Sequence, residues 1–256
     1  MINVIKKIFA LPHLTAKLNL DDTKTSLLHR EIILSKPVLK KIYTNWYADI
    51  MSQIDNNGKI LELGSGGGFL KDLYPQVITS DIMTLSCCDM VVDALNLPFE
   101  NESLDAIVMI NVFHHIQDAA IFLNEVNRTL KPNGKLIMIE PSCNNIWSSF
   151  IYKYIHHEPL DKHADWKFES TGPLSDANIA LPYIVFERDI ALCNQLFPSL
   201  NIKINKYYAP FTYLLSGGVS MKSLMPNWSF NMINAVEKLI THKYLNMFYM
   251  INVQKN

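Results

Sequence analysis

The chain of 256 residues carries a formal net charge of −1, which excludes the sequence-wide basic excess that binding to a phosphate backbone needs. Nucleic acid is therefore not an expected partner. The four cysteines include the adjacent pair Cys87 and Cys88, which fits neither a disulfide framework nor a spaced metal site. We expect reduced thiols in a cytoplasmic protein.

Hydrophobic residues make up 49% of the chain, yet no uninterrupted run reaches the length of about 18 apolar residues that a transmembrane helix requires. An apolar substrate pocket, a surface in peripheral contact with a membrane and a well-filled core each account for this composition. No linker composition and no repeat divides the chain. We therefore predict a single domain over residues 1–256.

Residues 1–56 have the spacing of amphipathic helices, with apolar side chains recurring at intervals of three and four. Pro37 fits the first turn of a helix, where its missing N–H does no harm. Tyr43 and Tyr47 belong to the apolar stripe that follows. This segment is predicted to be helical and to precede the sheet.

Residues 59–70 contain a short apolar run, the acid Glu62 and four glycines within five positions. The pattern predicts a buried strand over Lys59–Leu63 that ends in a glycine loop and continues into a helix. Glycines at this point allow a tight turn and a closely approaching ligand, because any Cβ would collide with one or the other. This is how nucleotide-binding sheets receive a ligand.

Polar side chains end the next three predicted strands. Strand two over Gln76–Asp81 ends in Asp81, strand three over Met90–Val92 precedes Asp93, and strand four over Leu104–Asn111 ends in Asn111. Asp81 follows Glu62 by 19 positions, near the spacing at which nucleotide-binding folds place a ribose-binding carboxylate.

A helix capped by Asp118 and stopped by the turn Lys131-Pro132-Asn133-Gly134 leads to a fifth strand over Lys135–Glu140. Strands and helices thus alternate over residues 59–140. This alternation predicts a parallel α/β sheet with helices on both faces.

Five motifs in order carry a family resemblance: Glu62-x-Gly64-x-Gly66-x-Gly68, Asp81, Asp93-Ala94, Leu104-Asp105-Ala106-Ile107 and Leu130–Leu136. Together they resemble the class I S-adenosylmethionine-dependent methyltransferases, of the small-molecule kind called type 11. The resemblance covers residues 59–142 and departs from the family only in the last turn, where asparagine replaces a glycine. It implies a Rossmann-like, doubly wound sheet of seven strands, mostly parallel with the last strand antiparallel. The implied cofactor is S-adenosylmethionine, and the product is S-adenosylhomocysteine.

The nearest rival with this architecture is a nicotinamide or flavin enzyme carrying the loop Gly-x-Gly-x-x-Gly. Counted from Gly64, the third glycine of that fingerprint falls on Phe69. The dinucleotide fingerprint therefore fails, although a nicotinamide-dependent oxidoreductase remains an alternative class.

The resemblance also implies roles at the cofactor pocket. Glu62 matches the acid that orders the loop near the methionine amino group, Asp81 the ribose-binding acid, and Asp93 the reader of adenine. The helix around Tyr43 and Tyr47 resembles the amino-terminal lid of the family, with a core-facing aromatic stripe as the alternative. The predicted cofactor-binding residues are Glu62, Gly64, Ser65, Gly66, Gly68, Asp81, Ile82, Asp93, Ala94, Asn111 and Val112.

Residues 141–230 have no counterpart in the common core, so we expect them to select the methyl acceptor. A helix over residues 146–155 has apolar and aromatic residues at helical spacing, suited to a pocket wall, a membrane surface or the core. His156, His157 and Glu158 follow, with spacing that matches no recognised metal site, and we predict no metal. The candidates for a general base are His115, His157 and Glu158, with His114 competing from the loop after strand four.

The remaining segments complete the predicted sheet. Residues 170–184 form a long turn-rich connection of the kind that acts as a lid or binding loop. A helix over Phe186–Leu196 leads to an edge strand over Asn201–Tyr207, whose antiparallel partner is Asn246–Val253. The turn Ser216-Gly217-Gly218 between these strands is assigned no chemistry.

The predicted function is transfer of a methyl group from S-adenosylmethionine to a small molecule, with an apolar or lipid-linked acceptor and O-methylation favoured. In-line attack on an already activated sulfonium methyl needs position and water exclusion, and a base assists it. The alternatives are a catalytically inactive S-adenosylmethionine-binding protein and the oxidoreductase above. Expected partners are a small or lipid-like substrate and, as a further option, a membrane surface contacted peripherally.

Overall fold

The computed structural model describes residues 11, 21–155, 158–169, 172 and 176–256. Within these residues seven strands form one sheet in the order β3-β2-β1-β4-β5-β7-β6. The strands are β1 (Ile60–Glu62), β2 (Ile78–Asp81), β3 (Met90–Val91), β4 (Leu104–Ile110), β5 (Leu130–Pro141), β6 (Leu200–Tyr208) and β7 (Phe248–Lys255). β1 to β5 pair in parallel, and β7 runs antiparallel to both β5 and β6. The predicted fold class, including the reversed last strand, is confirmed.

The helices begin and end at sequence signals. Pro37 occupies the first turn of its helix, Asp22 caps the preceding one, and Asp118 accepts a hydrogen bond from Ile121 N, as a helix N-cap does. The helices are α1 (Thr23–Ser35), α2 (Pro37–Met51), α3 (Leu70–Leu73), α4 (Ala119–Thr129), α5 (Ile146–Tyr154), α6 (Leu181–Tyr183), α7 (Ile190–Leu196), α8 (Thr212–Ser216) and α9 (Phe230–Ile240). None of the helices in the described ranges is long and apolar enough to cross a membrane.

The hydrophobic core consists of two apolar clusters, one on each face of the sheet, and β4 contributes side chains to both. Ala106 and Val108 face one apolar cluster, which includes the buried stripe of α2. Ile107 and Met109 point the opposite way, into a second cluster that includes the buried stripe of α4. Alternate side chains of one strand thus bury against different helix layers, which is why this strand is apolar almost throughout.

Two predicted elements differ from the observed ones. The helix predicted over Phe186–Leu196 is interrupted: a π-helical turn over Ile184–Arg188 precedes α7, and Asp189 N donates to Ile184 O at 2.9 Å. Asp189 is held there because its carboxylate accepts from Trp166 Nε1 at 2.9 Å. β5 begins at Leu130, five residues before the predicted start, because Leu130 already pairs with Leu104 ahead of a register shift. The other predicted strands begin and end within two residues of their observed bounds.

Candidate active site

A cavity of about 390 Å³ opens at the carboxyl edge of the central strands. This is the edge where open α/β sheets receive ligands, and the volume is in the range of small-molecule sites, about 300–1,000 Å³. All of the predicted cofactor-binding residues line it. They are Glu62, Gly64, Ser65, Gly66, Gly68, Asp81, Ile82, Asp93, Ala94, Asn111 and Val112.

The glycine loop has its shape because side chains from two other segments press against it. Gly64 has φ +63°, and a Cβ placed there would lie 2.5 Å from a methyl carbon of Val112. A Cβ on Gly68 would lie 2.5 Å from the hydroxyl oxygen of Tyr47. Both positions therefore require glycine for close approach, and at Gly64 for backbone conformation as well.

Two buried carboxylates hold this loop. Ser65 Oγ donates to Glu62 Oε2 at 2.7 Å, and Gly66 N donates to Asp81 Oδ2 at 3.0 Å. Burial raises the pKa of Glu62 to about 7, against the lowering effect of Ser65. Burial also raises the pKa of Asp81, although hydrogen bonds from Met83 N and Gly66 N oppose it. Both acids thus face the cavity in an environment that penalises their charged forms.

The other predicted cofactor positions lie around the same opening. Asp93 is exposed, and its Oδ1 accepts from Leu95 N at 2.8 Å. Asn111 adopts φ +56°, and its buried Oδ1 has no hydrogen-bond partner among the described residues. Ile82 is half exposed at the rim. An unpaired buried amide oxygen beside two carboxylates offers acceptors to a ligand rich in N–H and O–H donors.

The amino-terminal helices cover the glycine loop. Arg30 of α1 donates from Nη1 to the carbonyl of Gly68 and pairs through Nη2 with Asp72 at 2.7 Å. Tyr43 and Tyr47 of α2 are buried and line the cavity. Both tyrosines also belong to the hydrophobic core, so the lid stays a prediction beside the core-facing stripe. Arg30 was not predicted, because nothing in its local pattern distinguishes it from a surface cation.

A cluster of two histidines and two acids lies beside the cofactor positions. His114 Nδ1 is 2.7 Å from Glu140 Oε2, and His114 Nε2 is 3.3 Å from Glu158 Oε2. His115 Nε2 is 3.7 Å from Glu158 Oε1, while its Nδ1 is 3.3 Å from the carbonyl oxygen of Asp176. His115 and Glu158, two of the three predicted base candidates, are brought together here. The third, His157, lies outside the described residues.

The two histidines titrate in opposite directions. Burial alone would lower the pKa of His114, but the hydrogen bonds and charges of Glu140 and Glu158 outweigh it and raise the pKa to about 10. Burial and the neighbouring His114 lower the pKa of His115 to about 4. At neutral pH the first ring is therefore protonated and the second is neutral.

Glu140 was predicted only as the end of a strand. It is fully buried, and its Oε1 accepts from Val112 N and Phe113 N, both at 2.8 Å. The available signal was the one that identified Asp81, namely an acid at the carboxyl end of a parallel strand.

The rest of the cavity wall is mainly apolar and comes largely from the segment expected to select the acceptor. From the connection over residues 170–184, Ile179 lines the cavity, and residues 170, 171 and 173–175 lie outside the described residues. The Ser216-Gly217-Gly218 turn, which was assigned no chemistry, contributes Gly217 and Gly218. The apolar and aromatic lining residues include Ile33, Tyr43, Ile151, Tyr152, Ile155, Ile179, Tyr213, Leu214, Met247 and Phe248.

Comparison with known proteins agrees with this geometry. Residues 61–138 match the family model described as a methyltransferase domain. A Schizosaccharomyces pombe protein described as an uncharacterized methyltransferase is 32% identical over 114 residues, which are 38% of this chain and 43% of that protein. A second protein of that organism, described as methyltransferase-like, is 27% identical over 151 residues, 51% of this chain and 57% of that protein. The chain thus spans about half the length of these curated relatives.

Among solved structures, an S-adenosylmethionine-dependent methyltransferase from Thermotoga maritima shares the fold with a TM-score of 0.53. The two are 14% identical over 91% of this chain and 94% of that one. This likeness, together with the strand order, shows that the chain has a Rossmann-like fold. Residues 61–138 thus match a methyltransferase domain of type 11, and the chain is similar to class I S-adenosylmethionine-dependent methyltransferases.

The residues present fit the cofactor of this family. S-adenosylmethionine carries an ammonium group, two ribose hydroxyls and an adenine amino group, all of them hydrogen-bond donors. Glu62, Asp81 and Asn111 present oxygen acceptors to the cavity, and the glycine loop leaves open the space that Cβ atoms would fill. The individual role of each residue stays a prediction.

Proposed function

We propose that the protein methylates an apolar or lipid-linked small molecule, with a hydroxyl oxygen as the favoured acceptor atom. The observation that carries this proposal is the composition of one cavity. Eleven predicted cofactor-binding residues form one part of its wall, apolar and aromatic side chains form another, and the cluster of His114, His115 and Glu158 faces the same space. S-adenosylmethionine, when bound, supplies a sulfonium methyl group that is already activated.

The work left to the protein is to position the acceptor, exclude water and handle one proton. The apolar wall binds the acceptor and keeps water out. The acceptor oxygen forms its bond to the methyl carbon as the methyl–sulfur bond breaks, and its proton passes to His115 Nε2 or to Glu158. Geometry supports this assignment, because Asp176 O can only accept a hydrogen bond. Nδ1 of His115 therefore carries the hydrogen, and Nε2 keeps a lone pair.

A lipid-linked acceptor is supported by the outer face of α9. Its apolar residues point outward: Met232, Val236 and Leu239 are 61%, 54% and 86% exposed. Glu237, on the opposite side, is 4% exposed and accepts hydrogen bonds from Phe211 N and Thr212 N. A helix that turns its acid inward and its apolar residues outward has the character of an interfacial helix.

Charge and position strengthen this part of the proposal. Within residues 222–244 the exposed charged residues are Lys222, Lys238 and Lys243, and the one acid is the buried Glu237. On α5, Ile146 and Phe150 are also exposed, while other residues of that helix line the cavity. We propose that α9 lies on an anionic lipid surface from which the acceptor enters the cavity.

The cofactor half of the proposal is tested by calorimetry with S-adenosylmethionine. We expect binding in the micromolar range, and a loss of at least about tenfold in Asp81→Ala, equivalent to about 1.4 kcal/mol. Asp165→Ala is the matched control, because Asp165 is exposed and does not line the cavity. Equal affinity of wild type and Asp81→Ala would refute the ribose assignment, and no binding at all would refute the proposed function.

The acceptor half is tested with S-adenosylmethionine labelled in its methyl group, incubated with separate lipid and polar extracts. We expect label in the lipid fraction, in a product whose methyl group is bound to oxygen. Label confined to polar products would refute the apolar acceptor. Cofactor binding without labelled product in any fraction would instead favour an inactive binding protein.

A further inference from the structure

The atoms of His114, His115 and Glu158 that face the cavity are arranged as metal ligands are. One ring nitrogen of each histidine and one carboxylate oxygen of Glu158 all lie within 4.8 Å of one another, and the Nε2 atoms of His114 and His115 are 3.3 Å and 3.7 Å from the Glu158 carboxylate. Ligands at about 2.0–2.2 Å from a tetrahedral ion are about 3.3–3.6 Å apart, so a movement of up to about 1.5 Å would close the set. The three residues come from two segments, the turn after β4 and the stretch after α5.

The other nitrogen of each imidazole is already held in place. His114 Nδ1 is 2.7 Å from Glu140 Oε2, and His115 Nδ1 is 3.3 Å from the carbonyl oxygen of Asp176. Metal-binding histidines are oriented in this manner, by a carboxylate or a backbone carbonyl that accepts from the nitrogen opposite the metal. Glu140 is itself fixed by Val112 N and Phe113 N, so the orientation of His114 is rigidly determined.

The contact between His115 and Glu158 lacks a cation of its own, whereas the protonated His114 faces Glu158 Oε2 from Nε2 at 3.3 Å and would release that proton on binding a metal ion. With its hydrogen on Nδ1, His115 turns the lone pair of Nε2 toward the negative carboxylate of Glu158 at 3.7 Å, a contact in which neither side has a hydrogen to donate. A positive ion between them could be bound by both. Two imidazole nitrogens and one glutamate are the donor set of a catalytic zinc centre, which keeps its fourth position open.

We infer that His114, His115 and Glu158 bind one divalent transition-metal ion, of which Zn²⁺ is the type, with its open position toward the cavity. This metal site was not predicted from the sequence. The spacing of residues 156–163 matches no known ligand pattern, and it gives no sign that Glu158 contacts the distant His114 and His115. The inference that a metal ion binds here depends only on the arrangement of these residues. Its role rests on the proposed function: the ion would hold the acceptor oxygen and lower the pKa of its hydroxyl, doing the work assigned above to a base.

The test measures metal binding directly on the full chain, after treatment with a chelator and dialysis. Titration with Co²⁺ is expected to give the visible absorption of a nitrogen- and oxygen-ligated ion, saturating at one equivalent. Zn²⁺ should displace it with a dissociation constant in the micromolar range or below. Glu158→Gln and His115→Ala should each weaken binding at least about tenfold. His163→Ala is the matched control, because His163 is exposed and outside the cavity.

Thermal unfolding of the metal-free variants checks that each is folded, and Glu158→Gln preserves side-chain shape if His115→Ala does not fold. The inference would be overturned if metal binding did not saturate, or if both variants bound the metal as tightly as the wild type. A shared proton, rather than a metal ion, would then hold these side chains together. Calorimetry with S-adenosylmethionine on the same samples separates the two proposals. Cofactor binding without metal binding defeats only the ion site, and metal binding without cofactor binding defeats only the proposed function.

Discussion

Glu140, the penultimate residue of β5, lies 2.7 Å from the imidazole of His114 in the turn after β4. Its other carboxylate oxygen accepts from the backbone of Val112 and Phe113. One fully buried side chain thus connects the ends of two neighbouring strands and sets the direction of the histidine that faces the cavity.

Removal of this carboxylate is therefore expected to destabilise the fold. Glu140→Ala leaves His114 and two backbone N–H groups buried without their partner, at a cost of about 3–5 kcal/mol in the free energy of unfolding. Urea unfolding followed by circular dichroism measures the loss. Glu102→Ala is the control, because its ion pair with Lys255 is at the surface and is expected to be worth less than about 1 kcal/mol. Equal losses in the two variants would contradict the importance of the buried pair.

We expect Gly64→Ala to destabilise the fold more than Gly66→Ala. Both Gly64→Ala and Gly66→Ala place a side chain at positive φ, which costs about 1–2 kcal/mol. Gly64→Ala also drives its Cβ against Val112, whereas a Cβ on Gly66 meets its nearest atom only at 3.5 Å. We expect Gly64→Ala to lose about 2–4 kcal/mol in urea unfolding.

Val112→Ala supplies the internal test of that explanation. In the double variant Gly64→Ala/Val112→Ala part of the loss should be recovered, because the colliding methyl carbons are gone. Strict additivity of the two substitutions would show that backbone strain alone, without the collision, accounts for the effect.

Glu62 predicts a pH dependence of stability. Its pKa is raised to about 7 in the folded chain from the ordinary value of 4.5, so between these values the folded state holds a proton that the unfolded state has released. The contribution of Glu62 to stability is therefore fully present below about pH 4.5 and is lost as the pH rises through about 7. Glu62→Gln removes this titration.

Urea unfolding of wild type and Glu62→Gln between about pH 5 and pH 8 measures the effect. The wild type should lose stability relative to the variant as the pH rises, with a slope of up to about 1.4 kcal/mol per pH unit. Parallel pH profiles of the two proteins would mean that Glu62 titrates normally.

The outer face of α9 predicts binding to lipid vesicles. We expect sedimentation with vesicles that contain phosphatidylglycerol, weakened at least about tenfold in Met232→Ser/Leu239→Ser because buried apolar area is lost. Lys238→Glu/Lys243→Glu should weaken binding only to anionic vesicles, since each lysine contributes about 1 kcal/mol near such a surface. Leu192→Ser, on exposed α7, is the control. Equal sedimentation of all variants would exclude α9 as the contact.

Local patterns in the sequence were sufficient for the cofactor side of the cavity. An apolar run followed by Glu62 and glycines identifies β1 and its loop. Asp81 ends β2, and Asn111 directly follows β4 at the same edge. These signals are short-range. Parallel strands of one sheet have their carboxyl ends at the same edge, so a residue at the carboxyl end of its own strand can be assigned to that edge from sequence alone.

The tertiary structure decided what could not be obtained from any single segment. It brought Glu158 to His114 and His115, which lie 44 and 43 positions earlier in the chain. It also set Arg30 on the glycine loop, and turned Glu237 inward while Leu239 faced outward. Each of these relationships depends on how separate elements pack against the sheet, and such contacts leave no trace in local periodicity. The sequence by itself determined the class of fold and the cofactor edge, whereas packing alone determined the chemistry that faces the acceptor.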